Sequence, residues 1–149
     1  MDPHTAYRTL VAHVYELAGL SRRQSDRDAA AEGATAAQWH VLSVLSGGRA
    51  TAPQVARRLG QARQSVQRVV DDLRARGDVR TASNPDHARS PLLEITPAGA
   101  ARLDRLWTRS RPARLAVLDD AGLTPDDLTR AATTLAALAA ALRRAERGT

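Results

Sequence analysis

Residues 60–73, GQARQSVQRVVDDL, carry side chains whose hydrogen-bonding groups come in pairs. Arg63 and Arg68 each present a fork of donors, and Gln64 and Gln67 each present a donor beside an acceptor. In the major groove of DNA, Arg can hold O6 and N7 of guanine, and Gln can hold N6 and N7 of adenine, with two hydrogen bonds each. This set of side chains therefore favours the reading of base edges.

The same segment has the apolar spacing of an amphipathic helix. Its apolar residues recur at i, i+3, i+4 and i+7, at positions Val66, Val69, Val70 and Leu73. A helix would place the Arg and Gln side chains opposite this apolar face, in its first turns. Ala62 stands where Ser, Thr, Asp or Asn is expected, so the helix is predicted to begin without a side-chain cap.

The distribution of charge also points to a polyanion. The net charge is +6, and every basic side chain apart from histidine is an arginine. Between Arg49 and Arg89 there are nine Arg and four Asp, whereas the flanking sequence is nearly neutral. A basic middle segment is typical of nucleic-acid binding, although charge alone is equally consistent with a solvated surface.

Elements around this helix are marked by local chemistry. Thr35 and Thr51 each precede a Gln by three residues, the spacing of a capping box, and a short helix after Thr51 ends at Gly60. Beyond Gly77, two extended runs flank the turn-rich SNPDHARS, which predicts a β-hairpin. A short helix, a tight turn, a polar-faced helix and a hairpin together predict a winged helix-turn-helix.

Apolar stripes also mark the two ends of the chain. Leu10, Val14 and Leu17 form a stripe on a first helix. A last helix beginning at Thr124 carries a heptad-like seam of Leu128, Ala131, Leu135, Leu138 and Leu142. The seam is consistent with core packing or with contact to a second copy, and we favour the second copy. Pro112 is expected to bend or break the helix between them.

Composition argues against several other classes. The 149 residues are enough for one domain or two small subdomains, and no apolar run is long enough to span a bilayer. With no Cys and four scattered His, neither a metal site nor a cofactor is predicted. The chain also lacks a phosphate-binding loop and a nucleophile elbow, so an enzyme is not expected. We expect a cytoplasmic protein with no membrane association.

Two longer motifs resemble those of a known family. NPDHARSPLLEITPAG, residues 84–99, is similar to the wing, second strand and next helix start of the MarR-type (multiple antibiotic resistance) regulators. RQSVQRVVDDLRARGDV resembles their recognition helix. The resemblance implies a mainly α fold with a small β-hairpin wing. It also implies a winged helix-turn-helix at residues 34–96 and a helical dimerisation region formed by residues 1–33 and 97–149.

The resemblance further implies a set of DNA contacts. The recognition helix would lie in the major groove, and the wing Arg, here Arg89, would reach the adjacent minor groove. In the family an Asp braces this Arg, but His87 stands at that position, so Asp86 is the candidate substitute. The predicted DNA-binding residues are Thr51, Arg63, Gln64, Ser65, Gln67, Arg68 and Arg89.

The family finally implies a homodimer that binds a pseudo-palindromic operator, and a pocket for a small-molecule effector. We therefore predict a DNA-binding transcriptional regulator, a repressor, released by a small aromatic or phenolic compound. Candidate pocket residues are His13, Trp39, His40 and Trp107, although core packing of both Trp is the simpler interpretation. The alternative function is a helical protein-interaction module whose winged domain does not bind DNA.

Overall fold

The computed structural model describes residues 1–87 and 89–148. The described chain contains six helices and one two-stranded sheet. Their bounds are α1 Pro3–Ala30, α2 Ala36–Ser46, α3 Ala52–Leu59, α4 Arg63–Ala75, β1 Val79–Ala82, β2 Leu92–Ile95, α5 Pro97–Asp120 and α6 Pro125–Arg147. The chain divides into two compact units, residues 1–110 and 111–149. The predicted fold class, mainly α with a small hairpin, is confirmed.

Helix starts in this structure follow the predicted capping chemistry. The Thr35 hydroxyl accepts from the Gln38 amide at 3.1 Å, and the Gln38 side chain accepts in return from the Thr35 amide. Thr51 and Gln54 repeat this reciprocal pair at the start of α3. Gly60 ends α3 with φ of 62°, a left-handed conformation that a glycine adopts without steric cost. The tight turn before α4 therefore depends on Gly60.

A core in the first unit holds α4 in place. Val66, Val70 and Leu73 are fully buried, as the apolar spacing predicted. They share one apolar cluster with side chains from α2 and α3, including Leu42 and Val55. Since burying one such side chain contributes about 1.5–3 kcal/mol, this face fixes how α4 is rotated.

The hairpin forms where the sequence predicted two strands. β1 and β2 pair antiparallel with Val79 opposite Ile95 and Ala82 opposite Leu92. Leu93 is buried and also forms a bridge to Ala50, ahead of α3. The hairpin is thereby attached to the helical core.

A close contact sets the start of α5. The Thr96 hydroxyl donates to the Gly77 carbonyl at 2.6 Å and accepts from the Gly99 amide at 3.1 Å. The Thr96 amide donates to the Asp78 carbonyl at 3.0 Å. Gly99 is packed so tightly that a Cβ there would lie 2.1 Å from that same carbonyl oxygen. Only glycine fits at this point without movement of the backbone.

The helix does not break at Pro112, because α5 continues to Asp120 with Pro112 inside it, and the expected bend there stays a prediction. Proline removes one hydrogen bond, to the carbonyl four residues earlier. Both Pro112 and Thr108 are exposed, so the proline lies on the outer face of α5 and not in the core. The local cost is therefore small enough for the Arg-, Leu- and Ala-rich sequence around it to remain helical.

The second unit has little interior of its own. Within the described residues, no side chain of α6 is buried. Leu128, Leu135 and Leu142 of the predicted seam are each more than a third exposed. In the first unit, Leu10, Val14 and Leu17 of α1 are exposed as well. These apolar stripes are left uncovered in the single chain.

Candidate nucleic-acid interface

The first turns of α4 present a polar surface. Ala62 precedes the helix with extended backbone angles, φ of −66° and ψ of 140°, and provides no side-chain cap. With Val66 and Val70 turned inward, the side chains on the other side are exposed. These are Arg63, Gln64, Ser65, Gln67 and Arg68, five of the seven predicted DNA-binding residues.

The charges on this surface are largely uncompensated. Across the described ranges, neither Arg63 nor Arg68 forms an ion pair. By contrast, Gln67 donates from Nε2 to Oδ1 of Asp71 at 3.0 Å. Asp71 and Asp72 therefore follow the first two turns of α4. The exposed guanidinium groups of Arg63 and Arg68 belong to those first two turns.

The wing loop, which connects β1 to β2, is stabilised by hydrogen bonds between its own residues. Asn84 donates from Nδ2 to the Ser90 carbonyl at 2.8 Å, and its Oδ1 accepts from the Asp86 amide at 3.1 Å. The Ser90 amide donates to the His87 carbonyl at 3.1 Å. Arg89 is exposed on this loop. In the described part of the wing, neither Asp86 nor any other carboxylate forms an ion pair with Arg89.

A groove between α4 and the wing brings several predicted residues together. Its volume is about 330 Å³, and Arg63, Gln64, Gln67 and Arg89 line it together with Arg74. Its apolar lining is Ala52, Pro53, Val70, Pro91 and Leu93. Arg89 and the Arg- and Gln-bearing face of α4 therefore border one concave, cationic surface.

Thr51 has a different environment from the other predicted contacts. It is buried, its amide donates to Gln54 Oε1 at 2.8 Å, and its hydroxyl accepts from the Gln54 amide at 3.4 Å. Thr51 does line a second groove, of about 620 Å³, between α3 and the wing loop. Arg57 and Arg89 line this groove as well, so the predicted contact at Thr51 would involve the edge of α3.

Sequence reasoning missed a cluster on the strands. Glu94 Oε2 lies 3.0 Å from Arg80 Nε, and Glu94 Oε1 lies 3.1 Å from Arg49 Nη2. The hydrogen bond from Arg80, followed by that from Arg49, holds the pKa of the Glu94 carboxyl below its usual range. Arg80 and Glu94 are cross-strand partners, so a correct register would have revealed this pair. Two of the nine Arg in the basic segment are thereby partly neutralised.

The four candidate effector-pocket residues have different environments. Trp39 is buried in the core cluster, which is the packing role considered above. Trp107 is about half exposed. His13 is exposed, and its Nδ1 lies 3.6 Å from Glu16 Oε2. His40 is partly buried on α2.

In residues 1–87 and 89–148, no three His, Asp or Glu side chains are arranged to hold a metal ion. No helix in the same ranges is both long enough and apolar enough to cross a membrane.

A family model and a solved structure both point to one family. The model of the MarR family matches residues 32–90. An uncharacterized protein of Mycobacterium tuberculosis is 50% identical over 101 residues, which are 68% of this chain and 71% of that protein. A crystal structure described as a MarR family transcription regulator is 26% identical, with a TM-score of 0.67, and the match covers 98% of this chain and 95% of that one.

Two further structures share the fold. The transcriptional regulator BldR from Sulfolobus solfataricus has a TM-score of 0.78 at 18% identity, over 92% of this chain and 99% of that one. A mutant MarR from E. coli, complexed with operator DNA, has a TM-score of 0.67 at 21% identity, over 93% of this chain and 99% of that one.

Proposed function

The chain belongs to the MarR family of transcription regulators, and we propose that it is a repressor that binds a pseudo-palindromic operator as a homodimer. The observation that supports operator binding most strongly is the groove that Arg63, Gln67 and Arg89 share. In this proposal the first turns of α4 enter the major groove, and the wing places Arg89 in the adjacent minor groove. A narrow minor groove concentrates negative potential and favours an inserted guanidinium.

Each exposed side chain of α4 has a part in this proposal. No described carboxylate forms an ion pair with Arg63 or Arg68. These two exposed side chains are therefore the candidates for guanine or phosphate contacts. Gln64, Gln67 and Ser65 are the candidates for the remaining base edges. Asp71 and Asp72 come at the next turn and would be repelled by phosphate, so this end of α4 points away from the duplex.

Selection of bound duplexes from a random pool, followed by fluorescence anisotropy, tests operator binding. We expect a two-fold symmetric site and a logarithm of the affinity that falls linearly with the logarithm of the salt concentration. Arg63→Ala and Arg89→Ala should each weaken binding at least about ten-fold, or 1.4 kcal/mol, without lowering the melting temperature.

Arg143→Ala is the matched control, because Arg143 is exposed on α6 and its loss removes the same charge outside the winged region. Its affinity should stay within about two-fold of wild type. Absence of DNA binding at low salt would refute operator binding and favour the alternative, a protein-interaction module.

The uncovered apolar stripes of α1 and α6 support the homodimer. A second copy could bury Leu128, Leu135 and Leu142, which a single chain leaves in water. Light scattering after size-exclusion chromatography should give twice the mass of the chain. Leu135→Asp should shift this mass toward the monomer, and an unchanged dimer would contradict a role for this stripe.

Release by a small aromatic or phenolic acid is the last part of the proposal. His13, Trp39, His40 and Trp107 remain the candidate contacts, and Trp107, with its indole half exposed, could report binding by fluorescence. Calorimetry with a panel of phenolic acids should detect binding that also lowers operator affinity. If the phenolic acids give no heat of binding and do not change operator affinity, effector release is refuted and operator binding is unaffected.

A further inference from the structure

The orientation of the Gln67 amide is fixed by a neighbour on the same helix. Gln67 Nε2 donates to Asp71 Oδ1 at 3.0 Å, across one turn of α4. A carboxylate has lone pairs and no proton to donate, so it can accept only from the NH₂ side of the amide. The Gln67 Oε1 atom must therefore face away from Asp71. The opposite orientation would bring two acceptors together.

Asp71 is itself held by a cation. Its Oδ1 lies 3.8 Å from Arg74 Nη1, so Gln67, Asp71 and Arg74 form a chain at i, i+4 and i+7 along the helix. All three side chains are exposed, which leaves the Gln67 amide accessible while its direction is constrained. Arg74 also offsets the negative charge that Asp71 would otherwise present to a phosphate backbone.

We propose that Asp71 is a positioning residue for base reading, which makes Gln67 present an acceptor to the base edge. This inference rests on the proposed operator binding and adds a base preference to it. A free Gln amide can turn either its oxygen or its nitrogen toward a base. A tethered amide presents Oε1 first, with one N–H already committed to Asp71.

The consequence for specificity follows from the donors and acceptors in the major groove. Adenine and cytosine present exocyclic amino groups, at N6 and N4, that an oxygen acceptor can bind. Guanine and thymine present O6, N7 and O4, which are acceptors and would oppose Oε1. On the strand that Gln67 contacts, the base should therefore be adenine or cytosine. Its complement is thymine or guanine, so the group to test is the exocyclic amino group itself.

Binding to a panel of operators tests the proposal in two steps. Gln67→Ala first identifies the half-site position whose base preference is lost. Duplexes in which the adenine or cytosine of that pair keeps its exocyclic amino group, or lacks it because purine or pyrimidin-2-one replaces the base, are then titrated with wild type, Asp71→Ala and Asp72→Ala. Asp72→Ala is the matched control, because it removes the same charge from the next residue and leaves the Gln67–Asp71 bond intact.

Wild type should bind the duplex that keeps this amino group about five-fold or more tightly than the duplex that lacks it. Asp71→Ala should reduce this ratio below about two-fold, because the untethered amide can turn its nitrogen toward an acceptor. Asp72→Ala should keep the wild-type ratio. Both Asp variants are expected to bind the best site at least as tightly as wild type, because each removes a negative charge.

The possible failures are distinguishable. A preference that survives in Asp71→Ala, or is lost equally in Asp72→Ala, overturns the positioning role and leaves operator binding intact. Equal wild-type binding to the duplexes with and without the amino group also overturns it. Failure of wild type to bind any duplex would instead refute the proposed function. A purely structural role for Asp71 would lower the melting temperature of Asp71→Ala without changing the base ratio.

Discussion

Gly99→Ala should destabilise the protein, because the new methyl group has no space at the β2–α5 junction. The added Cβ would lie 2.1 Å from the Asp78 carbonyl oxygen and 3.0 Å from Ile95 Cγ1. The carbonyl belongs to the backbone, so a side-chain rotation cannot relieve the contact. Either α5 or the segment after α4 must move by roughly 1 Å to restore an ordinary separation.

The magnitude follows from what that movement disturbs. Overpacking of this kind costs about 1–3 kcal/mol. The hydrogen bond from the Thr96 amide to the Asp78 carbonyl oxygen, 3.0 Å long, would be stretched at a further cost of about 1 kcal/mol. Replacing Gly by Ala in a helix returns up to about 1 kcal/mol. The net loss in the free energy of unfolding should therefore be about 1–3 kcal/mol.

Urea denaturation at one fixed protein concentration measures this loss, since a dimer would make the midpoint concentration-dependent. Gly19→Ala is the control, because Gly19 lies inside α1 and its added Cβ would meet only the end of the Arg23 side chain, at 3.5 Å. The same substitution should there stabilise by up to about 1 kcal/mol. A Gly99→Ala midpoint equal to or above that of wild type would refute the steric argument.

Three other substitutions test capping and pH dependence. Ala62→Ser should stabilise the protein by a fraction of the typical ~1 kcal/mol, whereas Thr35→Ala should destabilise it by about that amount, both measured by urea unfolding. Equal stability of wild type and Ala62→Ser would show that another group already caps α4. Arg80 and a second arginine lower the pKa of Glu94 in the folded state. The stabilisation from the ionised Glu94 carboxylate is therefore complete above the pKa of the unfolded state, and it is lost as the pH falls through the pKa of the folded state. The stability difference between wild type and Glu94→Gln should therefore be largest near neutral pH and should shrink in acid, and a pH-independent difference would contradict this.

The family and the fold class could be predicted because their signals are local. Thr35 and Thr51 with their Gln partners marked two helix starts that the structure contains. The apolar residues of α4, such as Val70, are buried as their spacing indicated. Cap chemistry and apolar period depend on residues within a few positions of one another, so a single sequence is sufficient to read them.

What the sequence left unpredicted depends on pairings between distant residues. The Glu94 cluster needs the strand register, and the tight approach of Gly99 to Asp78 needs the packing of α5. The persistence of α5 through Pro112 goes against a local rule, at a point where Thr108 and Pro112 are both exposed. Only the Gln67–Asp71 bond had a local signal, the i, i+4 spacing on a helix, that could have been used.

The uncapped start of α4 has a consequence for local motion. Among the helices in the described residues, α4 alone begins without a side chain bonded to its first amides. Its first turn should open more often than those of α2 and α3, and the amides at its start should exchange with solvent sooner. Arg63 and Gln64 lie in that turn, so the side chains proposed to meet DNA first are attached to the most easily opened part of the reading helix. A DNA site that orders this turn must compensate for the conformational entropy that the turn loses. A well-matched site makes enough contacts to do so, whereas a poorly matched site does not.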